Sequence, residues 1–300
     1  MIKPTIITSI LVGVGVASAQ PAPQKLTVGV FAPSVELGTA QQRLAYAQSL
    51  AKAIEQATRI KTEAQVYANV GALEGAKVDF AVLDATCVAT HAGWRLLANA
   101  QIGGATTRPY ALFSSAGPDM QALRGKQLAY IQTGCNDAGF IDNAMLESEV
   151  DATFFAGRAG KADLTAAVAE VVSYKAAQAV FAPASAGKGL TKVFDTGSVP
   201  TPGFVHLASK LPTELVDKVG AAVVGFGGAG AISGWSKASR AEYQALASRL
   251  GKLGKAGVLA TPEPVHLDAK DVLIEPTTLK DTALVDVRHH FVRPADSRLE

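Results

Sequence analysis

Apolar and polar residues alternate through Leu26, Val28 and Val30 of KLTVGVFAP, which predicts a strand after the Pro-containing stretch 20–24. From Thr39 to Thr58 the period changes. Leu44, Ala47, Leu50, Ala51 and Ile54 fall on one helical face, so a helix is expected there. Lys61 to Tyr67 alternates as a second strand, Val70 to Gly75 reads as a short helix, and Val78 to Leu83 reads as a buried strand ending at Asp84-Ala85-Thr86. A helix over Thr86 to Ala98 follows, and this β–α rhythm predicts a parallel sheet covered on both faces. Further strands are expected at Tyr110–Ser114, from Leu128, and at Thr153–Ala156, Ala179–Phe181, Val193–Asp195 and Phe204–Ala208. Helical segments are expected over Pro118–Lys126, Lys161–Val172, Pro212–Gly225 and Ala238–Leu253. From Val258 the pattern breaks into short alternating pieces punctuated by Pro262, Pro264 and Pro276, as in a hairpin or an extended arm.

One junction carries candidate chemistry. In LAYIQTGCNDAG (128–139) an apolar strand stops at a polar, glycine-containing turn and continues into the helix-like FIDNAMLESEV. The first amides of such a helix lack backbone partners and, with the macrodipole behind them, favour an anionic or strongly polar guest. The turn lacks the Gly-Lys-Ser/Thr ending of a nucleotide loop, and no G-x-G-x-x-G follows the strand. No catalytic group stands beside it in sequence, so the expectation is to hold a ligand rather than transform one, with no cofactor and no enzyme activity.

Composition narrows the classes. The chain has 300 residues, 48% of them hydrophobic and 18% charged, with a net charge of +2, which gives no reason to expect nucleic acid as a partner. Lys3, the apolar run Ile6–Val16 and Ala17-Ser18-Ala19 together predict a secretory signal peptide over 1–19, hence a periplasmic chain without direct membrane insertion. The two cysteines, Cys87 and Cys135, are too few for a disulfide scaffold, though export would permit one bridge.

Four phrases in order resemble the type 2 periplasmic solute-binding proteins, in the branch that takes phosphate, phosphite and phosphonates: KLTVGVFAPS, GAKVDFAVLDAT, RPYALFSSAGPDMQALRGKQLAY and TGCNDAGFIDNAMLESEV. TPGFVHLASKLP resembles the segment by which that family returns to its first lobe. The resemblance spans Lys25 to Leu250. It implies an α/β fold of two lobes, each a mainly parallel sheet flanked by helices. The first lobe would be 25–107 with 204–258, the second 108–203, and 259–300 a C-terminal extension. It also implies a small oxyanion or polar organic ligand in the cleft and a membrane ABC permease as partner.

Position by position, the resemblance puts the ligand turn on Thr133, Gly134, Cys135, Asn136 and Asp137, with first-lobe loops at Pro33, Ser34 and Val35 and at Asp84, Ala85 and Thr86. Tyr67 and Tyr110 match aromatic positions near the cleft, and Arg158 a polar position before a helix. The turn departs from the family's pattern by holding one hydroxyl and gaining the Asp137 carboxylate, which would repel a phosphonate unless Arg158 or a cation compensates. Cys87 and Cys135 could form a disulfide that locks closure, share a metal with His91, or stand apart as two buried thiols. Arg108 reads as a hinge residue or a cleft residue, and the run Gly225–Gly230 as a loop. A sensor or adaptor of the same fold, docking a partner through its tail, is the alternative function.

Overall fold

The structure, a computed structural model, describes residues 23–151, 153–207 and 210–251. The expected signal peptide, the tail after Val258 and the His289-His290 pair lie outside these residues. The described residues lie in one compact unit.

The first sheet is built mostly from the first third of the chain. β1 (Lys25–Phe31) pairs in parallel with β2 (Lys61–Val66) on one side and with β3 (Phe80–Leu83) on the other. Between β1 and β2 runs α1 (Ala40–Thr58). Its first turn is fixed by a reciprocal cap in which the Thr39 hydroxyl accepts from the Gln42 amide and the Gln42 side chain accepts from the Thr39 amide. Ala47, Leu50, Ala51 and Ile54 of the expected face are buried, joined by Tyr46, whereas Leu44 is 40% exposed. α2 (Val70–Gly75) links β2 to β3, and α3 (Ala85–Thr90) leaves β3.

The expected helix over Thr86–Ala98 ends at Thr90 instead. Gly93 lies in a turn after it, and Arg95–Gln101 is strand β4. RLLANA is rich in helix formers, but the segment lies between two antiparallel neighbours, β10 (Gly203–His206) and β11 (Gly234–Lys237), and tertiary pairing overrides propensity. The sheet order β11-β4-β10-β3-β1-β2 is therefore mixed and not mainly parallel.

The second sheet, in order β7-β6-β8-β5-β9, is mixed as well. It comprises β5 (Thr107–Ser114), β6 (Gln127–Ile131), β7 (Gly157–Lys161), β8 (Ala179–Pro183) and β9 (Thr191–Pro200). The strand expected at Thr153–Ala156 begins instead at Gly157. Phe154 and Phe155 are buried in the turn ahead of it. Lys161 consequently ends β7, and α5 (Leu164–Val172) starts after Asp163, whose side chain accepts from the Ala166 amide. After the 128–139 junction only one α turn forms, α4 (Asp137–Gly139). It runs on as a π-helical turn, Phe140–Met145, and the chain leaves through left-handed Glu147 and Ser148.

The chain passes from the first sheet to the second between β4 and β5, and returns between β9 and β10. α6 (Thr213–Val224) packs on the first sheet. α7 (Ala241–Leu250) lies against α3 of the first lobe and against β9 and the π turn of the second. An α/β fold of two lobes, each a sheet flanked by helices, is what the resemblance implies. Among the described residues no helix is long and apolar enough to cross a membrane.

Candidate functional site

The loops at the C-terminal ends of β1 and β3 face the second sheet's 132–137 turn and the start of β5. Open α/β sheets present their ligand loops at such strand ends. Ser34 and Asp84 are joined within the first lobe, the Ser34 amide donating to Asp84 Oδ2 at 3.1 Å. Arg108 reaches across from β5. Its Nη1 donates to the Ser34 carbonyl and its Nη2 to Ser34 Oγ, both at 3.1 Å, and its guanidinium stands 5.7 Å from the Tyr110 ring centroid. Arg108 is buried, and its Nε has no hydrogen-bond partner. Arg108 therefore bridges the lobes at the chain crossing and is not a solvated hinge residue.

Ser34, Asp84, Thr86, Tyr110, Tyr130, Thr133 and Phe140 border one cavity of about 20 Å3. Burial pushes the Tyr110 phenol pKa up, with Arg108 opposing and Asp84 reinforcing the shift. A buried water needs roughly 10–15 Å3, so the cavity has room for about one. A pocket for an organic ligand has about 300–1,000 Å3.

The turn itself is shaped by left-handed residues at Gly134 and Asn136, two types that tolerate that conformation. Asn136 caps α4 by accepting from the Gly139 amide at 3.1 Å, and a Cβ at Gly139 would lie 2.7 Å from the Leu250 carbonyl oxygen. The amides of Thr133 and Gly134 do not face open space. Both donate to Asp137, at 3.0 Å each, and the Thr133 hydroxyl donates to the same carboxylate at 2.5 Å. The Thr133 hydroxyl also accepts from the Cys135 amide and from Thr86 Oγ1, the latter across the cleft at 3.1 Å. The carboxylate that a phosphonate would meet thus already occupies two of the turn's amides.

Cys87, in the first turn of α3, and Cys135, in the turn opposite, form a disulfide. Of the three sequence options the cross-cleft bridge is observed, and it removes both thiols as metal ligands. His91 instead stacks on Trp94, 3.8 Å between centroids, with Nδ1 2.9 Å from the Cys87 carbonyl oxygen.

Gly134, Cys135, Asn136 and Asp137 of the turn do not border the small cavity, and three further expected site residues stand away from it. Val35 packs into the first lobe's core. Arg158 is held in a two-point pair with Asp142 of the π turn, at 2.9 and 2.5 Å, and so compensates that carboxylate rather than Asp137. Tyr67 lines a wider crevice of about 340 Å3 at the β1–β2 side, with Phe31, Pro33 and Leu37 among its walls. Arg43 and Asp163 close its edge as an ion pair between the lobes at 3.1 Å, and the Leu164 amide donates to the Pro33 carbonyl beside it.

No family model matches the sequence, and no curated protein is similar to it. Solved structures are similar in fold. XAC2383 from Xanthomonas citri, bound to ATP, superposes with a TM-score of 0.60 at 12% identity over 76% of this chain and 97% of that one. The binding-protein component of an ABC phosphonate transporter from Pseudomonas aeruginosa gives 0.58 at 13% identity over 75% and 85%. PhnD1 from Prochlorococcus marinus, in complex with methylphosphonate, gives 0.58 at 12% identity over 76% and 97%. At such identities the likeness establishes the fold.

Proposed function

We propose that this chain, built on the type 2 periplasmic-binding fold, is an exported solute-binding protein that captures a small acidic or polar organic molecule between its lobes. The lobes would be 25–107 with 204–258, and 108–203. Capture involves no chemical step, and delivery is to a membrane ABC permease; the Pseudomonas aeruginosa neighbour is the binding-protein component of an ABC phosphonate transporter. The observation that carries the reading is convergence: Ser34, Asp84 and Thr86 from one sheet and Tyr110 and Thr133 from the other border a single interlobe cavity, with Arg108 bridging to Ser34.

The recognising cation is Arg108. Parting the lobes separates its Nη atoms from Ser34, and its Nε already lacks an acceptor. A forked guanidinium freed in this way suits a carboxylate, sulfonate or phosphonate. The amides of Thr133 and Gly134 contribute less than the family resemblance implies, because Asp137 holds them.

The test is a thermal-shift panel of phosphate, phosphite, methylphosphonate, sulfate and small carboxylates on the chain from residue 20, with and without a reducing agent. A bound anion at 100 times its Kd adds about 2.7 kcal/mol of stability. Arg108→Ala abolishes that shift, whereas Arg158→Ala leaves it in place. Absence of any shift in both redox states overturns the reading.

The closed cavity of about 20 Å3 favours a second reading, an envelope sensor or adaptor of the same fold. Deleting 259–300 then abolishes partner capture and leaves anion stabilisation at zero, as in the full chain.

A further inference from the structure

We infer that the Cys87–Cys135 disulfide is a redox latch on the interlobe cleft: capture needs the dithiol form, and the oxidised chain stays shut. That the latch governs capture rests on the binding reading above. That it governs lobe separation does not.

The far walls of the small cavity include Thr86 and Thr133, which touch each other through their hydroxyls. Thr86 directly precedes Cys87, and Thr133 lies two residues before Cys135, so the bond ties the two walls together next to the cavity. The Cα atoms of the cysteines are 4.9 Å apart. While the bond lasts, these walls cannot separate by the several ångströms that a guest with heavy atoms on both sides requires. The other contacts between the lobes, polar ones and the apolar packing of Phe31, Leu83 and Leu246 with Tyr110, Leu128 and Met145, are non-covalent. Arg108 on Ser34, Arg43 on Asp163, Thr86 on Thr133 and the Leu164 amide on Pro33 are hydrogen bonds and an ion pair that water or a ligand can replace. The disulfide is the one covalent bridge across the cleft among the described residues, and the chain has no other cysteine.

The exchange balances with an external dithiol, small or carried on a protein, as reductant. One of its thiolates attacks Cys135 Sγ, the residue of the pair with some residual exposure, and the Cys87 sulfur leaves as thiolate. The reductant's second thiolate then displaces Cys135 from the mixed disulfide. The protein gains two electrons and two protons, and the dithiol becomes a disulfide. Both sulfurs are buried, so attack waits on a local opening and the oxidised form persists without a strong reductant. Linkage supplies the reverse coupling: an anion that binds only the open form shifts the thiol–disulfide equilibrium towards the dithiol by the same factor by which reduction tightens its binding.

The test needs no ligand. Spin labels on non-cysteine handles at Gln48 in α1 and Tyr174 after α5, both exposed, report the distance between lobes by pulsed dipolar spectroscopy. One narrow distribution is expected for the oxidised chain. A second, longer component is expected after reduction with a dithiol and in Cys87→Ser/Cys135→Ser. If the double variant does not fold, the reduced wild-type chain, checked by circular dichroism, gives the same reading. Distributions that superimpose in oxidised and reduced protein overturn the latch. Lobes that separate on reduction while phosphate, sulfate and acetate all fail to stabilise the reduced chain uphold the latch and overturn the binding reading.

Discussion

Asp137 receives the Thr133 and Gly134 amides and the Thr133 hydroxyl, so one carboxylate organises the turn that faces the first lobe. The sequence made this residue conspicuous as a negative charge in an anion turn, but its direction depends on left-handed Gly134 and Asn136, which curl the chain until the side chain meets its own amides. Hydrogen bonds to a charged group contribute roughly 1.5–3 kcal/mol, and the exposed Gly134 amide can recover a water. Asp137→Ala should therefore lower the unfolding free energy by about 1.5–3 kcal/mol, and Asp137→Asn by less, since one acceptor oxygen remains; urea midpoints distinguish the two. Buried phenols govern the alkaline limit. Burial raises the pKa of Tyr110, and burial followed by the charges of Glu242 and Asp84 raises that of Tyr243, whose hydroxyl donates to the Thr201 carbonyl. Below about pH 10 both folded and unfolded chains keep these protons, and the contribution to stability is fully present. Above it the unfolded chain releases them first, so stability falls as pH rises towards the folded values. The tyrosinate absorbance of these two buried phenols, isolated as the difference from Tyr110→Phe and Tyr243→Phe, should accordingly grow in step with the loss of circular dichroism above pH 10, not ahead of it.

At the scale of elements, periodicity located what a single face decides and missed what a neighbour decides. Apart from exposed Leu44, α1 buries the stripe its spacing predicts, and α2 starts and ends where the pattern placed it, because local burial and a local cap determine both. β4 was illegible because its residues favour a helix; the two strands that flank it, Gly203–His206 and Gly234–Lys237, come from far later in the chain. β11, only four residues long, gave no period to read. α7 was legible as an amphipathic helix, but its role was not. Arg249 near its end donates to the Thr196 carbonyl at 2.8 Å, to Ser198 at 3.4 Å and to Ala144, all in the second lobe, while the Leu250 carbonyl accepts from Asn143 at 3.1 Å. The helix begins on the opposite side, where Arg240 donates to the Trp94 carbonyl of the first lobe. α7 is thus a strap between lobes, and Arg249 is its second-lobe anchor. Arg249→Ala should cost about 1.5–3 kcal/mol and speed amide exchange in 241–250. Lysine at this position should rescue only part of the loss, because an ammonium cannot fork between carbonyls of the π turn and of β9.

Across the whole molecule, two chain crossings, the α7 strap, side-chain contacts such as Arg43 with Asp163 and one disulfide join the lobes, and the disulfide is the joint that a reductant removes. The order of the family-like phrases made the two-lobe plan legible. The bridge remained one option among three, since pairing across 48 residues is a property of how the lobes meet and not of either local sequence. A cross-link with that separation removes unfolded-state entropy worth about 4 kcal/mol at room temperature in the chain-entropy account. For a chain of this size each kcal/mol corresponds to roughly 2–4 °C, so reduction should lower Tm by about 8–16 °C. The shape of the transition carries separate information. Entropy of the unfolded chain moves the midpoint and leaves cooperativity untouched, whereas a latch that frees one lobe from the other also weakens their coupling in the folded state. The oxidised chain should then unfold with matching calorimetric and van't Hoff enthalpies, and in the reduced chain the van't Hoff value should fall below the calorimetric one. A midpoint that drops with the two enthalpies still equal would assign the bond to stability alone, because lobes that melt as one unit have not been released from each other.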